Sequence, residues 1–415
     1  MSRIYIFIFT IAVSLLMTSC QTFEKSIKTT EQVASVVNNG SVQTLATIAK
    51  SGSGSAAVKG ILKARGQAYK TNPNLLISDI RNIKRDFNQL LSLLQGNVDK
   101  EWGKNESKLP NRSHYIKYTQ NYKSRAIVDF DKGVITVETL DEKNPQTSLK
   151  NAIVTTLLTP NDPRAVDLFS ANEVVLSSDR EPYLLDLVQD QNRRPINSPK
   201  RAEAYSDYLI KKHKQTRKII VNKQSKQANY VVFNMVNNFE HKQALKYRPL
   251  VARYAEHYDI SPSLIYAVIR TESNFNPFAV SRIPAYGLMQ LVPTSGGRDA
   301  YRHAKGRDGV PSKNYLFDPD NNIELGVAYL DVLDDNYLKN IQNKVSREYC
   351  VISAYNGGAG SVLRTFSKDR IQAVNMINSL QPSELYKRLR ASLPSEETRR
   401  YLLKVVNHRR QFVSL

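Results

Sequence analysis

Strand-like runs in this 415-residue chain stop before Phe239, and from there onward apolar residues recur at helical spacing. Strands in one half and helices in the other predict an α+β chain, not a sheet interleaved with crossover helices. Before Phe239, residues 126–130 and 134–137 are rich in β-branched and aromatic side chains and flank Asp131-Lys132-Gly133. Two such runs around a short glycine turn predict a β-hairpin. Residues 218–221 and 230–233 form a second candidate pair, joined by a polar stretch. Residues 149–158 and 202–212 read as helices. Upstream, Leu76, Ile80, Ile83, Phe87, Leu90, Leu91 and Leu94 recur at three- and four-residue steps, predicting one amphipathic helix with Trp102 just beyond it. This half contains no catalytic constellation legible from its residues.

After Phe239, helical patterns are broken by loops rich in Gly, Pro and Asp. Residues 301–322 are the longest break, and a loop of that length is more often functional than filler. Residues 399–406 return to helix. The expected division is 1–19 as a signal peptide, 20–74 as a lipidated amino terminus and flexible tether, 75–238 as an α+β domain, and 239–415 as a helical catalytic domain. Residues 51–55, Ser-Gly-Ser-Gly-Ser, support the tether.

The first residues carry targeting information. Arg3 precedes an apolar run that is too short to span a membrane, followed by Thr18-Ser19-Cys20. Leu16-Met17-Thr18-Ser19-Cys20 resembles a bacterial lipobox, whose cysteine is lipidated and becomes the mature amino terminus. Gln21, rather than aspartate, after that cysteine resembles outer-membrane sorting. The expected location is therefore the periplasmic face of the outer membrane, with lipid on Cys20. Cys350 is the other of two cysteines and lies in an apolar stretch, so it reads as an inert core residue, and no disulfide framework is expected. The net charge of +21 suits a large anionic partner. Nucleic acid is one such partner on charge alone, and the export signal argues against it.

Ser261-Pro262 is a good helix start, with Ser as N-cap and Pro in the first turn. Ile265, Val268 and Ile269 then mark an inward face, and Glu272 shares it. Burial and the negative helix end should both raise its pKa towards the range a general acid needs. Taken alone, Glu272 reads better as a carboxylate held by a basic partner at a helix end. Ala354-Tyr355-Asn356-Gly357-Gly358 closes another helix and places a phenol and an amide there. Gly287-Leu288-Met289-Gln290 adds a second amide in a segment a ligand could approach closely.

Taken together, Glu272-Ser273, Gly287-Leu288-Met289-Gln290 and Ala354-Tyr355-Asn356, in this order and spacing, resemble the soluble-lytic-transglycosylase family. The resemblance covers about 240–415. The runs Phe275-Asn276-Pro277-Phe278, Leu316-Phe317-Asp318-Pro319 and Tyr355-Asn356-Gly357-Gly358-Ala359-Gly360 carry it furthest. Tyr115-Ile116-Lys117-Tyr118-Thr119 and Asp131-Lys132-Gly133 extend it into the first half, towards one membrane-bound member. Tyr286 departs from relatives that have a small residue before the glycine of the Gly-Leu-Met-Gln segment.

The resemblance implies a goose-lysozyme-like catalytic domain and cleavage of peptidoglycan between N-acetylmuramic acid and N-acetylglucosamine. It implies Glu272 as the catalytic acid and base. It puts Ser281, Gln290, Tyr355 and Glu397 in the sugar cleft, and Ser273, Asn356 and Tyr401 among the motif residues of the same substrate site. Protonation of the glycosidic oxygen by Glu272, then attack of the C6 hydroxyl on C1, would give a 1,6-anhydro end. No metal and no cofactor are expected, and no protein partner is named. Rival readings are a hydrolytic muramidase on the same fold and an inactive peptidoglycan-binding lipoprotein. Because all motif residues follow Phe239, a fragment beginning there is expected to retain activity.

Overall fold

Asn222 and Lys223 both take positive φ (49° and 68°), and the two-residue turn they make folds β4 (Gln215–Val221) back onto β5 (Gln224–Asn234). A computed structural model describes residues 73–176 and 180–413. Cys20 and the expected tether lie outside the described residues. The chain divides into two compact units, Met1–Asp86 and Phe87–Leu415. The described part of the first is the opening of helix α1 (Pro73–Trp102).

In the second unit, α1 ends on Trp102, which is fully buried and donates from its indole N–H to the Tyr122 carbonyl at 2.7 Å. The Arg125 guanidinium stacks on the same ring at 3.7 Å and reaches Glu138 at 2.6 Å. Three strands follow: β1 (His114–Thr119), β2 (Ser124–Asp129) and β3 (Val134–Thr139). With β4 and β5 they form an antiparallel sheet in the order β1-β2-β3-β5-β4. Helices α2 (Pro145–Leu157) and α3 (Pro199–His213) pack on each other, and α2 covers the sheet.

The hairpin expected around Asp131-Lys132-Gly133 is β2–β3. The polar stretch before Tyr230 is not a connection but the exposed first half of β5. Gln224, Ser225 and Gln227 are exposed there, and Lys226 pairs with Glu101. Strand β1 went unassigned because it lacks alternation: Tyr115, Ile116, Lys117, Tyr118 and Thr119 are all buried. Lys117 reaches the Ser170 carbonyl at 2.8 Å, and burial lowers its amine to about 8. The turn after β1 holds Gln120, Asn121 and Tyr122 at positive φ without a glycine to announce it.

The remaining chain is helical: α4 (Phe239–Lys246), α5 (Arg248–Tyr258) and α6 (Pro262–Ser273) lead into it. Leu264 to Ile269 are buried without interruption, so α6 is the enclosed central helix. Ser261 stands at its N-cap but pairs with the Ser263 hydroxyl at 2.9 Å, not with a backbone N–H. Around α6 lie α7 (Gly296–Lys305), α8 (Lys313–Leu316), α9 (Pro319–Asp331), α10 (Lys344–Gly357), α11 (Ala359–Arg364), α12 (Arg370–Asn378), α13 (Pro382–Ser392) and α14 (Glu396–Arg409).

The break read at 301–322 is mostly helical. α7 ends at Gly306, with φ +63°, and only 306–312 connects it to α8. α7 is hard to see in sequence because the face it buries is made of small residues, Gly296, Gly297 and Ala300, while its polar face pairs His303 with Asp331 at 2.7 Å and Lys305 with Glu324 at 2.6 Å. Cys350 is free and buried, and burial pushes its thiol up to about 12, as an inert core residue requires. The two halves share a core. Phe278, Val280, Tyr286 and Phe317 are buried in one cluster with the sheet residues. The Phe278 ring lies 4.8 Å from Tyr115 and 5.5 Å from Tyr183.

Candidate active site

Helix α6 stops where Asn274 turns left-handed (φ 53°) and Phe275 repeats the turn (φ 60°). Glu272 therefore sits in the last helical turn, 4% exposed. Burial pushes its carboxyl up to about 7. The positive charge of Arg112 and the Tyr401 hydroxyl oppose that rise, and the Glu397 charge adds to it. The Arg112 guanidinium lies 4.0 Å from one Glu272 oxygen and 3.4 Å from Glu397. The basic partner that a lone helix-end glutamate invites thus exists. It is too distant to hold the carboxyl in its usual range.

Helix α14 supplies Glu397 and Tyr401. Glu397 is exposed, whereas Tyr401 is 4% exposed and its hydroxyl closes on Glu272 without completing a hydrogen bond. Tyr355, near the end of α10, stacks parallel to Tyr401 with centroids 6.5 Å apart. Its hydroxyl donates to the Met289 carbonyl at 2.9 Å. Burial raises both phenols well above their ordinary range, and the Glu272 charge adds to the effect. A cleft of about 370 Å³ opens here, lined by Arg112, Thr271, Glu397, Arg400, Tyr401 and Lys404.

The Gly287-Leu288-Met289-Gln290 segment is anchored from three sides. Ser273 is 1% exposed and donates its hydroxyl to the Leu288 carbonyl at 2.7 Å and to Ile269 at 3.1 Å, so this side chain joins the helix end to the segment. Asn322 on α9 accepts from the Met289 N–H at 2.8 Å and donates to the Tyr286 and Leu316 carbonyls at 2.8 and 2.7 Å. Sequence reasoning missed Asn322, although its place four residues after Asp318, at a helix start, is visible. Gly287 takes φ +75°, and any Cβ there would meet Asn322 and the Leu316 carbonyl at 2.5 Å. Gln290 donates its amide to Ala279 and Gly287 at 3.1 and 3.0 Å, leaving its side-chain oxygen buried without a partner. Tyr286 shapes no sugar pocket: it is buried against Phe87 and Phe317, with centroids at 6.0 and 5.4 Å.

Asn356 accepts from the Thr398 hydroxyl at 2.7 Å and ties the end of α10 to the start of α14. Ser281 is not gathered with the others. It lines a separate groove of about 670 Å³ with His114, Asp129, Lys132 and Arg282. The bend before β1 divides the two openings: Asn111 lines the groove and Arg112 the cleft. The residue that motif reasoning could not supply is therefore Arg112, which comes from the first half, far in sequence from the motifs around Glu272. Among the described residues no group of three or more His, Cys, Asp or Glu could hold a metal ion, and no helix is long and apolar enough to cross a membrane.

Two family models match the chain. One, the N-terminal domain of membrane-bound lytic murein transglycosylase C, matches residues 79–246, and the other, the transglycosylase SLT domain, matches 249–378. Membrane-bound lytic murein transglycosylase C of Yersinia pestis (strain Pestoides F) is 44% identical over 320 residues, covering 77% of this chain and 87% of the relative. The protein of that name from Yersinia pseudotuberculosis serotype O:1b gives the same figures. Among solved structures, an inactive mutant of lytic transglycosylase Slt from Pseudomonas aeruginosa is 28% identical with a TM-score of 0.31. That match covers 39% of this chain and 23% of the other.

Proposed function

The chain belongs to the membrane-bound lytic murein transglycosylase C family, and from that premise we propose that Glu272 alone supplies the acid and then the base of its reaction. The enzyme is a peptidoglycan lytic transglycosylase, a lyase that cleaves its substrate without adding water. The observation that carries the assignment is a buried carboxyl at about 7, opening beside a polar cleft. Near neutral pH such a group is populated in both protonation states, as a group that donates and then takes a proton must be.

Glu272 gives its proton to the glycosidic oxygen as the bond to C1 of muramic acid breaks, and the electron pair leaves on that oxygen. The carboxylate then takes the proton of the C6 hydroxyl, whose oxygen closes on C1 to give the 1,6-anhydro ring. Ordinary glycosidases place two carboxyls about 5 to 9.5 Å apart. One suffices here because the nucleophile belongs to the substrate and is present at high effective concentration. Glu397 is exposed and paired with Arg112, which suits it to sugar contacts rather than proton transfer. Tyr401 lines the cleft, Tyr355 stacks behind it, Asn356 ties down the helix that carries it, and Gln290 is assigned to the substrate path through its unpartnered amide oxygen. Ser281 extends the substrate path into the second groove, and Ser273 supports the loop from beneath.

We place the two domains on either side of about 239, working as one body. We place the protein on the outer membrane through lipid on Cys20. Its relatives' names include membrane association, and Cys20→Ala should release it from the membrane fraction.

The decisive experiment on the reaction is Glu272→Gln with mass spectrometry of the products. The wild type should release 1,6-anhydro muropeptides. The variant, keeping size but not the proton, should lose turnover by about 100- to 10,000-fold or more. Reducing ends bearing oxygen from labelled water, or an active Glu272→Gln, would overturn the assignment.

A further inference from the structure

Among the described residues one cation reaches the Glu272 carboxyl, and it comes from the half of the chain that lies outside the SLT domain. Arg112 lies in the bend leading into β1. Its backbone carbonyl accepts from the Asn276 side chain at 3.1 Å. Asn276 is fully buried, and its other amide atom accepts from the Phe278 N–H at 3.0 Å, so the seat is rigid. One guanidinium nitrogen, Nη1, is shared by the two carboxylates, 3.4 Å from Glu397 and 4.0 Å from Glu272. Both partners leave it half exposed in the cleft.

We propose that Arg112 is a positioning residue for the reaction: its charge favours the Glu272 carboxylate at the step in which the glycosidic oxygen takes the proton. The inference rests on Glu272 being the acid. Arg112 itself neither gives nor takes a proton. At the first step the proton moves from Glu272 to the leaving oxygen, and a negative charge appears on a carboxyl that burial would otherwise keep neutral. An opposite charge at 4.0 Å lowers the energy of that state, moderated by solvent in the cleft. The other groups facing Glu272 are accounted for. Tyr401 from α14 and Tyr355 from α10 are neutral phenols, and Glu397 from α14 is a like charge. Lys404 and Arg400 line the cleft but form no ion pair with Glu272. The amino-terminal half therefore completes the electrostatics of the site, which gives a catalytic reason for the two halves being fused and packed as one unit.

The test is a pH–rate profile of the full chain on soluble glycan strands, for wild type, Arg112→Gln and Arg112→Lys. Arg112→Gln should lower kcat about tenfold with KM nearly unchanged. It should also move the alkaline limb of kcat/KM upward, by about one pH unit, because the acid becomes weaker. Arg112→Lys, which keeps a charge in place, should return the limb towards wild type, and it poses the same question should the Gln variant fold poorly. An unmoved limb, or a loss confined to KM, overturns the proposal and makes Arg112 a sugar contact. If Glu272→Gln is still active, the acid/base reading itself fails. If Glu272→Gln is dead while the Arg112→Gln limb stays at its wild-type position, only the role of Arg112 falls.

Discussion

Asn276, four residues beyond Glu272, donates its side-chain amide to the backbone carbonyl of Arg112 at 3.1 Å. The segment that ends the Glu272 helix thus also seats the arginine facing Glu272. Asn274 makes a parallel connection, donating to the Phe130 carbonyl and, at 3.0 Å, to Asp131. Tyr183 adds a third by donating to the Phe275 carbonyl at 3.1 Å. Three residues of one short turn are bound by three separate parts of the first half.

If that seat matters, Asn276→Ala should reproduce part of the Arg112→Gln effect without touching a charge. It leaves the Arg112 carbonyl and the Phe278 N–H without their partner, a loss of about 1–3 kcal/mol in stability. The alkaline limb of the pH–rate profile should also shift upward. Thermal unfolding and the profile, measured on one preparation, separate the two effects. A destabilised variant with an unmoved limb would mean that the seat serves the fold alone.

Glu272 carries a stability signature of its own. Its folded pKa, about 7, lies above the ordinary glutamate value of about 4.5, so the buried neutral carboxyl favours the folded state at low pH. That contribution is fully present below about 4.5 and is lost as pH rises through 7. The shift corresponds to roughly 3 kcal/mol. Glu272→Gln never ionises, so it should unfold at a higher temperature than wild type above pH 7, and the difference should shrink as pH falls. Parallel melting curves at several pH values check this. A difference independent of pH would show that the carboxyl is not shifted.

Gly287→Ala tests the loop that carries Gln290. Its φ of +75° strains any L side chain, and the added carbon would collide with Asn322 and the Leu316 carbonyl at 2.5 Å. Asn322 would have to move, breaking three buried hydrogen bonds at once. The expected loss is about 3 kcal/mol or more. Activity should fall further than stability alone explains, because Tyr355 is tied to the same segment through Met289. A variant with wild-type melting and turnover would refute this account of the loop.

How much of this was legible in sequence follows from the range of the interactions involved. Ile265, Val268, Ile269 and Glu272 share a helix face through local periodicity, so the buried position of Glu272 could be read directly. The β2–β3 hairpin was equally plain, because alternation and a glycine turn are local signals. β1 was missed because burial on both faces erases alternation, and α7 because its buried face is built from the small residues Gly296, Gly297, Ala300 and Ala304, which give a weak apolar signal. The role of Ser273 was read too simply, since nothing local shows a hydroxyl committed to the Leu288 carbonyl. Arg112 was beyond reach: its neighbours Asn111 and Ser113 form no motif, and only the packing of the halves brings it to Glu272.

That packing changes what to expect of a fragment beginning at Phe239. Every motif residue lies after this point, which on sequence alone favours an active fragment. Yet Phe278, Val280, Tyr286 and Phe317 are each at most 7% exposed, and they are buried in one cluster with the sheet residues. Removing the first half would strip Tyr115 and Tyr183 from Phe278 and Phe87 from Tyr286, and burying such a side chain is worth about 1.5–3 kcal/mol. Against a typical total stability of about 5–15 kcal/mol, that loss leaves little margin. The fragment would also lose Arg112 and the three connections that hold 274–276, so even a folded population would lack the charge opposite Glu272. We expect residues 239–415 alone to melt well below the full chain, to bind an apolar dye, and to show at most a small fraction of wild-type activity. Adding residues 87–238 as a separate chain should restore activity in proportion to the complex formed, read by gel filtration alongside muropeptide release. If the fragment alone melts as the full chain does and turns over at the wild-type rate, the first half is dispensable to the site, and the catalytic case for Arg112 falls with it.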